Sequence, residues 1–295
     1  MTVPISAVIL TRNEAENIVR CLQSLDWVDE ILVVDDGSTD DTVSLAKANG
    51  ARVVDHAFES FAKQRNWALD EGQLRNEWVL MLDADETSDD DFAAAVKTAT
   101  ENADQDVVAF RTCRKTMLCG TWLKRSDSFP VWIMRLVRKG QADFEDSGHG
   151  EVPVPPVDGK IGTIPTPFIH YPFSRGLNDW WQRHIRYAEK EARKEIEQAK
   201  GTSGLSVFSL NRSHRRAALR QLSRSMPARG VLRFLYQYVA KLGFLDGKAG
   251  LQFCRLMAQY EQMIVIKSWE LQAENGEMKT TSLHSDQIHR SPKTK

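Results

Sequence analysis

The sequence predicts an α/β protein with a mostly parallel, doubly wound sheet and a C-terminal helical extension. Two observations indicate this fold class. In the first 110 residues, apolar runs typical of strands buried on both faces alternate with segments whose apolar residues recur at helical spacing. From Gly176 onward only helical spacing is seen. Alternation with short connections is typical of parallel strands joined by right-handed crossovers.

Four strands and four helices alternate in the first 100 residues. The predicted strands are the runs Ile5–Leu10, Ile31–Val34, Arg52–Asp55 and Trp78–Leu82. The predicted helices are Glu16–Leu25, Asp40–Asn49, Phe61–Glu71 and Asp89–Thr100. Ser60 is expected to cap the third helix, and either Thr87 or Ser88 the fourth.

The rest of the chain divides into an irregular middle and a helical end. Strands are predicted at Val107–Lys115 and Val131–Lys139, and residues 141–170, rich in Gly and Pro, are predicted to form strands or loops. The later predictions are helices at Leu177–Lys200, 213–225, 229–244 and 248–271, and a polar, disordered tail from about Glu274. This organisation predicts one domain over residues 1–175, a helical basic region over 176–273 and a tail over 274–295.

Composition excludes several classes of protein. The chain has 295 residues, of which 42% are hydrophobic and 27% charged, so wholesale disorder is excluded. Its 4 cysteines are scattered without a CxxC pair, which argues against a disulfide framework or a zinc ribbon. The N-terminus lacks a basic segment, and no apolar run approaches about 18 residues, so neither a signal peptide nor a membrane-spanning helix is expected. The expected location is the cytoplasm.

The charge is unevenly distributed along the chain. Lys+Arg number 39 and Asp+Glu 40, yet residues 1–110 carry 23 acidic and 8 basic side chains, and residues 201–260 carry 10 basic and 1 acidic. A chain polarised in this way often meets an anionic partner through its basic half.

Asp83-Ala84-Asp85 follows directly after the predicted strand Trp78–Leu82. Two carboxylates at positions i and i+2 point the same way from the sheet edge, and this arrangement suits Mg²⁺ or Mn²⁺ with further ligands from substrate phosphates. An acidic loop that caps the next helix is the alternative interpretation. The DxDxT nucleophile motif of haloacid-dehalogenase-type phosphatases also fits Asp83 to Thr87. That class is rejected because no later strand ends in an acidic metal-binding pair.

Two further polar clusters follow the first two strands. Carboxylates in Asp35-Asp36-Gly37-Ser38-Thr39-Asp40 can accept hydrogen bonds from a base and a ribose, although a simple strand–turn–helix connection also fits. Thr11-Arg12-Asn13-Glu14 lies beside this cluster in any parallel sheet. Lys63-Gln64-Arg65-Asn66 opens the third helix, where basic side chains can reach a diphosphate; a solvated helix face is equally compatible with Lys63.

In order and spacing, these motifs resemble family-2 inverting glycosyltransferases of the GT-A fold. The matching stretches are Ile9-Leu10-Thr11-Arg12-Asn13-Glu14, Val33-Val34-Asp35-Asp36-Gly37-Ser38-Thr39-Asp40, Gln64-Arg65-Asn66-Trp67-Ala68 and Leu82-Asp83-Ala84-Asp85-Glu86. The resemblance covers about residues 4–175 and is strongest to the lipopolysaccharide core β-1,4-glucosyltransferase-like subgroup. Residues 230–251 also look like the C-terminal stretch of that subgroup.

The resemblance implies a nucleotide-diphospho-sugar donor, most often a UDP-sugar. It implies that Asp35 or Asp36 holds the uracil or ribose and that Asp83 contacts the ribose. Asp85 and His170 are implied as metal ligands, although a lone histidine in a Pro-rich loop is as often structural. The donor-binding residues implied in this way are Thr11, Asn13, Glu14, Asp35, Asp36, Lys63, Arg65, Asn66, Asp83 and Ala84.

The inverting reaction needs a carboxylate base that takes a proton from the acceptor hydroxyl. Subgroup members carry a His-Glu pair after a strand that Met134–Arg138 matches here. This chain has His149-Gly150-Glu151, with one residue inserted, and Glu145-Asp146 resembles the pair of other family branches. Glu151 is therefore the first candidate for the base and Asp146 the second.

The segment Asn211–Lys241 interleaves arginine and lysine with Leu, Phe and Tyr. This pattern is typical of amphipathic helices in a membrane interface, where each basic residue near an anionic leaflet contributes about 1 kcal/mol. A basic face packed on the first domain and a homo-oligomer contact are the alternatives. Nucleic acid is disfavoured, because no recognition motif is present and the remainder of the chain is acidic.

The sequence therefore predicts a metal-dependent inverting glycosyltransferase that adds a hexose to a membrane-linked glycan or lipid acceptor. Glucose is the sugar that the subgroup suggests. The expected setting is cell-envelope polysaccharide or lipopolysaccharide biosynthesis at the inner face of the cytoplasmic membrane. Two alternatives stay open: a nucleotidyltransferase, although TRNEAEN is not a Gly-rich phosphate loop, and a non-catalytic sugar or lipid binder.

Overall fold

The computed structural model describes residues 2–147, 150–154, 159–201 and 228–274. Three sequence predictions fall outside the described residues: the helix 213–225, the tail beyond residue 274 and any role of His149.

The first hundred residues form the predicted alternation of strands and helices. The elements are β1 (Val3–Thr11), α1 (Ala15–Gln23), β2 (Val28–Asp35), α2 (Thr42–Ala48), β3 (Arg52–Asp55), α3 (Phe61–Asp70), β4 (Trp78–Asp83), β5 (Glu86–Thr87) and α4 (Asp90–Glu101).

Strands dominate the middle of the chain and helices its end. The strands are β6 (Val107–Leu118), β7 (Thr121–Trp122), β8 (Val131–Arg138), β9 (Asp143–Ser147), β10 (Gly150–Val154), β11 (Lys160–Thr163) and β12 (Phe168–His170). The helices are α5 (Gly176–Gly201), α6 (Arg229–Leu235) and α7 (Gly247–Glu274), with a π-helical turn (Tyr236–Ala240) and a 3₁₀ turn (Gly243–Asp246) between the last two.

One large sheet organises the molecule, in the order β3-β2-β1-β4-β8-β6-β12-β5, with β7 and β11 also paired to β6. The strands β1 to β4 run parallel. Strand β8 is antiparallel to both β4 and β6, so it joins the parallel half to a mixed half. Strands β9 and β10 form a separate antiparallel hairpin. The predicted fold class, a mostly parallel α/β sheet with C-terminal helices, is confirmed.

Apolar side chains cover both faces of the sheet. In β1, Ile5, Ala7 and Ile9 belong to one hydrophobic cluster and Val8 belongs to the other. Because successive side chains of a strand point to opposite faces, two covered faces explain the uninterrupted apolar run in this strand.

The helix caps agree with the sequence in one case and differ in another. The Ser60 hydroxyl accepts a hydrogen bond from the backbone N–H of Lys63 (3.2 Å), as expected for the cap of α3. Helix α4 is capped by Asp89, which accepts from the N–H of Phe92 (2.9 Å), so the expectation of Thr87 or Ser88 is wrong. Thr87 belongs to β5, and the Ser88 hydroxyl accepts from the indole of Trp27 (3.1 Å) instead.

The C-terminal helices pack on each other and on the sheet domain. Ala188 and Ala192 of α5 contact Ile264 and Leu271 of α7. A second cluster joins Phe253 of α7 to Leu118 and Leu123 of the sheet region. Among the described residues, none of the helices combines the length and apolarity needed to cross a bilayer.

The helix predicted over 229–244 is interrupted. Leu242 adopts a left-handed conformation (φ 61°), and a Cβ at Gly243 would lie 2.7 Å from the carbonyl oxygen of Gln237. The chain therefore turns back tightly between α6 and α7, which periodicity alone does not indicate.

Candidate active site

Three strands of the parallel half end at one edge of the sheet. Thr11 of β1 lies beside Asp35 of β2, and Leu10 lies beside Asp83 of β4. In open parallel sheets the ligand site lies beyond the carboxyl ends of the strands. The structure therefore brings together the three polar clusters that the sequence singled out.

Asp35 is buried and holds the loop after β2. Its carboxylate accepts hydrogen bonds from the Thr11 hydroxyl (2.9 Å), the Ser38 hydroxyl (2.6 Å) and the Ser38 N–H (2.7 Å). Because its carboxylate already accepts these three hydrogen bonds, Asp35 stabilises the turn after β2 that contains Asp36.

Asp36 and Asn13 tie the loops after β1 and β2 together. Asp36 pairs with Arg12 (2.8 Å) and accepts from the N–H of Phe58 (2.9 Å). Asn13 adopts a left-handed conformation (φ 54°), and its side-chain oxygen accepts from the N–H of Thr39 (2.8 Å). These contacts fix the rim of the site before any ligand binds.

Asp83 lies in an ionic cluster with Arg65, Arg135 and Glu86; those three side chains are buried, whereas the Asp83 side chain is 38% exposed. The Asp83 carboxylate accepts from Arg65 (2.7 Å) and Arg135 (2.7 Å), and Arg135 also pairs with Glu86 (2.5 Å). Burial opposes ionisation of Asp83, but the two guanidinium groups outweigh it and hold the pKa of that carboxyl well below its usual range. Burial, together with the charge of Asp83, raises the pKa of Glu86 against the effect of Arg135.

Arg135 and Glu86 were not candidates from the sequence. Arg135 interrupts the apolar run of the strand Val131–Arg138. A buried charge needs an oppositely charged partner, so this arginine could have been predicted to pair with a carboxylate. Arg65 was expected to reach the donor and is nearly inaccessible, paired with Asp83. Ala84 has its side chain in the hydrophobic core, which leaves only its backbone for a ligand.

Asp85 faces His170, which β12 brings to the same edge. The His170 Nε2 lies 3.6 Å from the Asp85 carboxylate, and the N–H of Tyr171 donates to the backbone carbonyl of Asp85 (2.8 Å). Burial favours the neutral acid, but the imidazole outweighs it and lowers the pKa of Asp85. Unlike Asp83, Asp85 has no guanidinium within ion-pair distance among the described residues.

Glu14 and the start of α5 form the other wall of the site. Arg175 pairs with Glu14 (3.0 Å) and donates to the carbonyl oxygen of Asn13 (3.0 Å). Asp179 pairs with Arg175 (3.1 Å) and Arg183 (2.7 Å). Burial raises the pKa of Glu14, opposed by a hydrogen bond from Asn17 and by the charge of Arg175. Of the two arginines that sequence reasoning missed, Arg183 acts electrostatically on Asp85, whereas Arg175 is bound to Glu14.

The β9–β10 hairpin carries both candidate bases. Asp146 of β9 and Glu151 of β10 are directly opposite each other in its antiparallel register. Asp146 is exposed. Asn66 holds the hairpin, because its amide donates to the carbonyl of Phe144 (2.9 Å) and accepts from the N–H of Phe144 (2.8 Å). Lys63 is exposed and pairs with Glu59, which precedes the Ser60 cap of its helix.

A divalent cation fits this edge through a small donor set. Asp85 and His170 offer one carboxylate and one imidazole, and the His170 Nδ1 is buried without a partner. No group of three His, Cys, Asp or Glu side chains suited to a metal occurs within the described ranges. A cation held here would need oxygen ligands from a substrate, which is the usual situation of Mg²⁺ at diphosphates.

Comparison with known proteins gives a family and a fold. Residues 6–151 match the model of glycosyl transferase family 2. An uncharacterized glycosyltransferase of Rickettsia felis is 45% identical over 83 residues, 28% of this chain and 29% of that relative. The match thus spans less than a third of that relative's length. The lipopolysaccharide core biosynthesis glycosyltransferase LpsC of Rhizobium meliloti is 25% identical over 202 residues, 67% of this chain and 73% of LpsC.

One solved structure is similar along most of the chain. It is the mannosyltransferase PcManGT from Pyrobaculum calidifontis, solved in complex with GDP-Man and Mn²⁺. The TM-score is 0.50 at 19% sequence identity, covering 91% of this chain and 88% of that chain. At this level of identity the likeness shows that the two proteins share a fold.

Proposed function

We propose that this chain, which belongs to glycosyl transferase family 2 by its domain over residues 6–151, transfers a hexose from a nucleotide-diphospho-sugar to a membrane-linked glycan or lipid acceptor. The observation that carries the proposal is the pairing of Asp85 with His170 at the carboxyl edge of the sheet. Asp85 follows strand β4. Among the described residues, no guanidinium group lies within ion-pair distance of its carboxylate, in contrast to Asp83. The relative LpsC, a lipopolysaccharide core biosynthesis glycosyltransferase, supports a role in envelope polysaccharide synthesis.

Asp85 and His170 are proposed to hold Mg²⁺ or Mn²⁺. When bound, such a cation neutralises charge that develops on the departing diphosphate. Arg183 adds positive charge at Asp85, and Arg175, paired with Glu14, lies on the same wall of the site. Asp36 and Asn13 form the rim proposed to receive the nucleoside, and a UDP-sugar is the donor that the sequence resemblance suggests.

The reaction is proposed to be a single displacement that inverts the anomeric carbon. The acceptor oxygen attacks that carbon, the bond from the carbon to the diphosphate oxygen breaks, and the nucleoside diphosphate leaves with the bonding electrons. A carboxylate takes the proton of the acceptor hydroxyl. Glu151 is assigned this role, and Asp146, opposite it in the hairpin, is the second candidate.

Contact with an anionic membrane surface is proposed to place the enzyme near its acceptor, at the inner face of the cytoplasmic membrane. Of the basic segment that suggested this contact, residues 211–227 lie outside the described residues. Within the described part, Arg229 pairs with Glu195 and Glu261 and so joins the helices together.

The direct test is a turnover screen of UDP-, GDP- and CMP-sugars with Mn²⁺ or Mg²⁺, in which released nucleotide and the anomer of the product are measured. One donor is expected to be turned over with inversion. Asp85→Asn should abolish this turnover, while the same substitution at the helix cap, Asp89→Asn, should preserve it because asparagine also caps helices. Equal turnover by wild type and Asp85→Asn would refute the proposed site. Donor binding without turnover would instead indicate a non-catalytic binder.

A further inference from the structure

A row of apolar side chains is exposed on the helices that follow residue 228. The members lie between residues 231 and 245 and are 42–60% exposed: Val231, Leu232, Leu235, Tyr236, Val239, Leu242, Phe244 and Leu245. These residues are called the apolar ridge below. Val231, Leu235 and Val239 are spaced four residues apart and so share one helical face. Exposed apolar surface of this extent usually marks an interaction site.

The segment that carries the apolar ridge packs closely on α7 and is hydrogen-bonded to Ser126. A Cβ at Gly230 would lie 2.7 Å from the carbonyl oxygen of Ala258 in α7, so α6 packs closely on that helix. The Gln237 amide donates to the carbonyl of Ser126 (3.1 Å), and the Asp246 carboxylate accepts from the N–H of Ser126 (2.7 Å). These contacts place polar groups of the segment on its inner side and leave the apolar side chains on the outer side.

Positive charge flanks the apolar ridge. Residues 228–260 contain five basic side chains, of which Arg229 pairs with Glu195 and Glu261, and one acidic side chain, Asp246, which is bound to the 119–130 loop. Lys241, Lys248 and Arg255 are exposed.

We propose that the apolar ridge inserts into the interface of a lipid bilayer with anionic headgroups. An apolar strip bordered by lysine and arginine is complementary to such a surface, because the apolar side chains leave water while the cations meet lipid phosphates. A second copy of the chain is a poorer occupant, since it would bring two basic surfaces together. The inference rests on the proposed function only for the location of the acceptor. Because the ridge is anchored to Ser126, insertion would also bring the 119–130 loop towards the membrane.

The test is sedimentation of the full chain with vesicles of phosphatidylcholine alone or mixed with phosphatidylglycerol. The wild type should sediment with the anionic vesicles. The double variant Leu235→Asp/Leu245→Asp should bind them about tenfold less, because two carboxylates would have to enter an apolar, negatively charged interface. Ile161→Asp, the same change at an exposed site on β11, should bind like the wild type. Circular dichroism should show whether the double aspartate variant is folded. If it is not, the milder double variant Val231→Ser/Val239→Ser replaces it, and this variant should also bind the anionic vesicles less than the wild type.

The inference would be overturned if the wild-type protein stayed in the supernatant, or if folded ridge variants sedimented like the wild type. It would also be overturned if the wild type formed a dimer that the ridge substitutions dissociate and did not bind vesicles. Sedimentation requires neither donor nor turnover. Failure of the membrane inference is therefore distinguishable from failure of the proposed transferase activity.

Discussion

Asp83 and Asp85 are two residues apart, yet their carboxylates have different surroundings. Asp83 is held by Arg65 and Arg135, whereas Asp85 faces His170. Strand β4 ends at Asp83, and Asp85 lies in the turn that follows, so the two side chains meet different neighbours. Asp83 is thus tied to two guanidinium groups, whereas the Asp85 carboxylate has only the imidazole of His170 within ion-pair distance among the described residues.

Arg135→Gln should destabilise the fold strongly. The arginine is buried and pairs with Asp83 and Glu86, so its loss leaves the buried Glu86 carboxylate without this ion pair and Asp83 with Arg65 alone. The free energy of unfolding, measured with urea, should fall by about 3–5 kcal/mol. The same substitution at the exposed pair Arg12–Asp36 should cost less than about 1 kcal/mol. Equal losses at the two positions would contradict the assigned difference in burial.

Glu151→Gln should lower kcat by about 100-fold while donor binding is retained, because the acceptor proton loses its base. Asp146→Asn, at the position opposite in the hairpin, should have a smaller effect. The comparison needs kcat and donor affinity for both variants. A larger loss of kcat at Asp146 would transfer the role of base to that residue.

At the scale of elements, the strands β1 to β4 and their helices could be predicted because each has its own periodic signal. The hairpin β9–β10 and strands β11 and β12 could not be placed, since pairing of short Gly- and Pro-rich segments depends on distant partners. Strand β5 was missed for the same reason, because its two residues pair with β12 more than eighty positions later. Similarly, the Asp85 motif was visible in the sequence, whereas Arg135, Arg175 and Arg183 enter the site only through the fold.

Asp246 connects the C-terminal helices to the 119–130 loop. Its carboxylate accepts from the N–H of Arg125 (2.9 Å) and from both the N–H and hydroxyl of Ser126. Asp246→Ala should release this loop, and trypsin should then cut faster after Lys124 or Arg125, as followed by mass spectrometry. Asp106→Ala, which removes an exposed partner of Lys160, is the matched control and should leave the rate unchanged. An unchanged cleavage rate in Asp246→Ala would show that the carboxylate does not hold the loop.

At the scale of the whole molecule, the predicted division near residue 175 coincides with the change from strands to α5, but the packing continues across it. Phe173, Leu118 and Leu123 share a cluster with Phe253, and Arg175 reaches Glu14 at the donor site. Calorimetry of the full chain should therefore show one cooperative unfolding transition. Two separated transitions would show that the helical region folds independently.

The near-neutral net charge is an average over two regions with different roles. The acidic first 110 residues include the strand-end carboxylates and helix caps such as Asp89. In the described part of the basic half, Lys241, Lys248 and Arg255 are exposed on the helices that carry or follow the apolar ridge. Total charge carries little functional information here, whereas its distribution separates the donor site from the proposed membrane-facing surface.

Calorimetric titration of UDP tests the central claim most directly, because it isolates donor recognition from acceptor identity. With Mn²⁺ present, the wild-type chain should bind UDP, and removal of the metal with EDTA should weaken binding by about tenfold or more, since the Asp85 carboxylate then meets the diphosphate without a cation between them. Asp85→Asn should bind UDP equally weakly with and without Mn²⁺. Tight binding that needs neither Mn²⁺ nor the Asp85 carboxylate would contradict the proposed site.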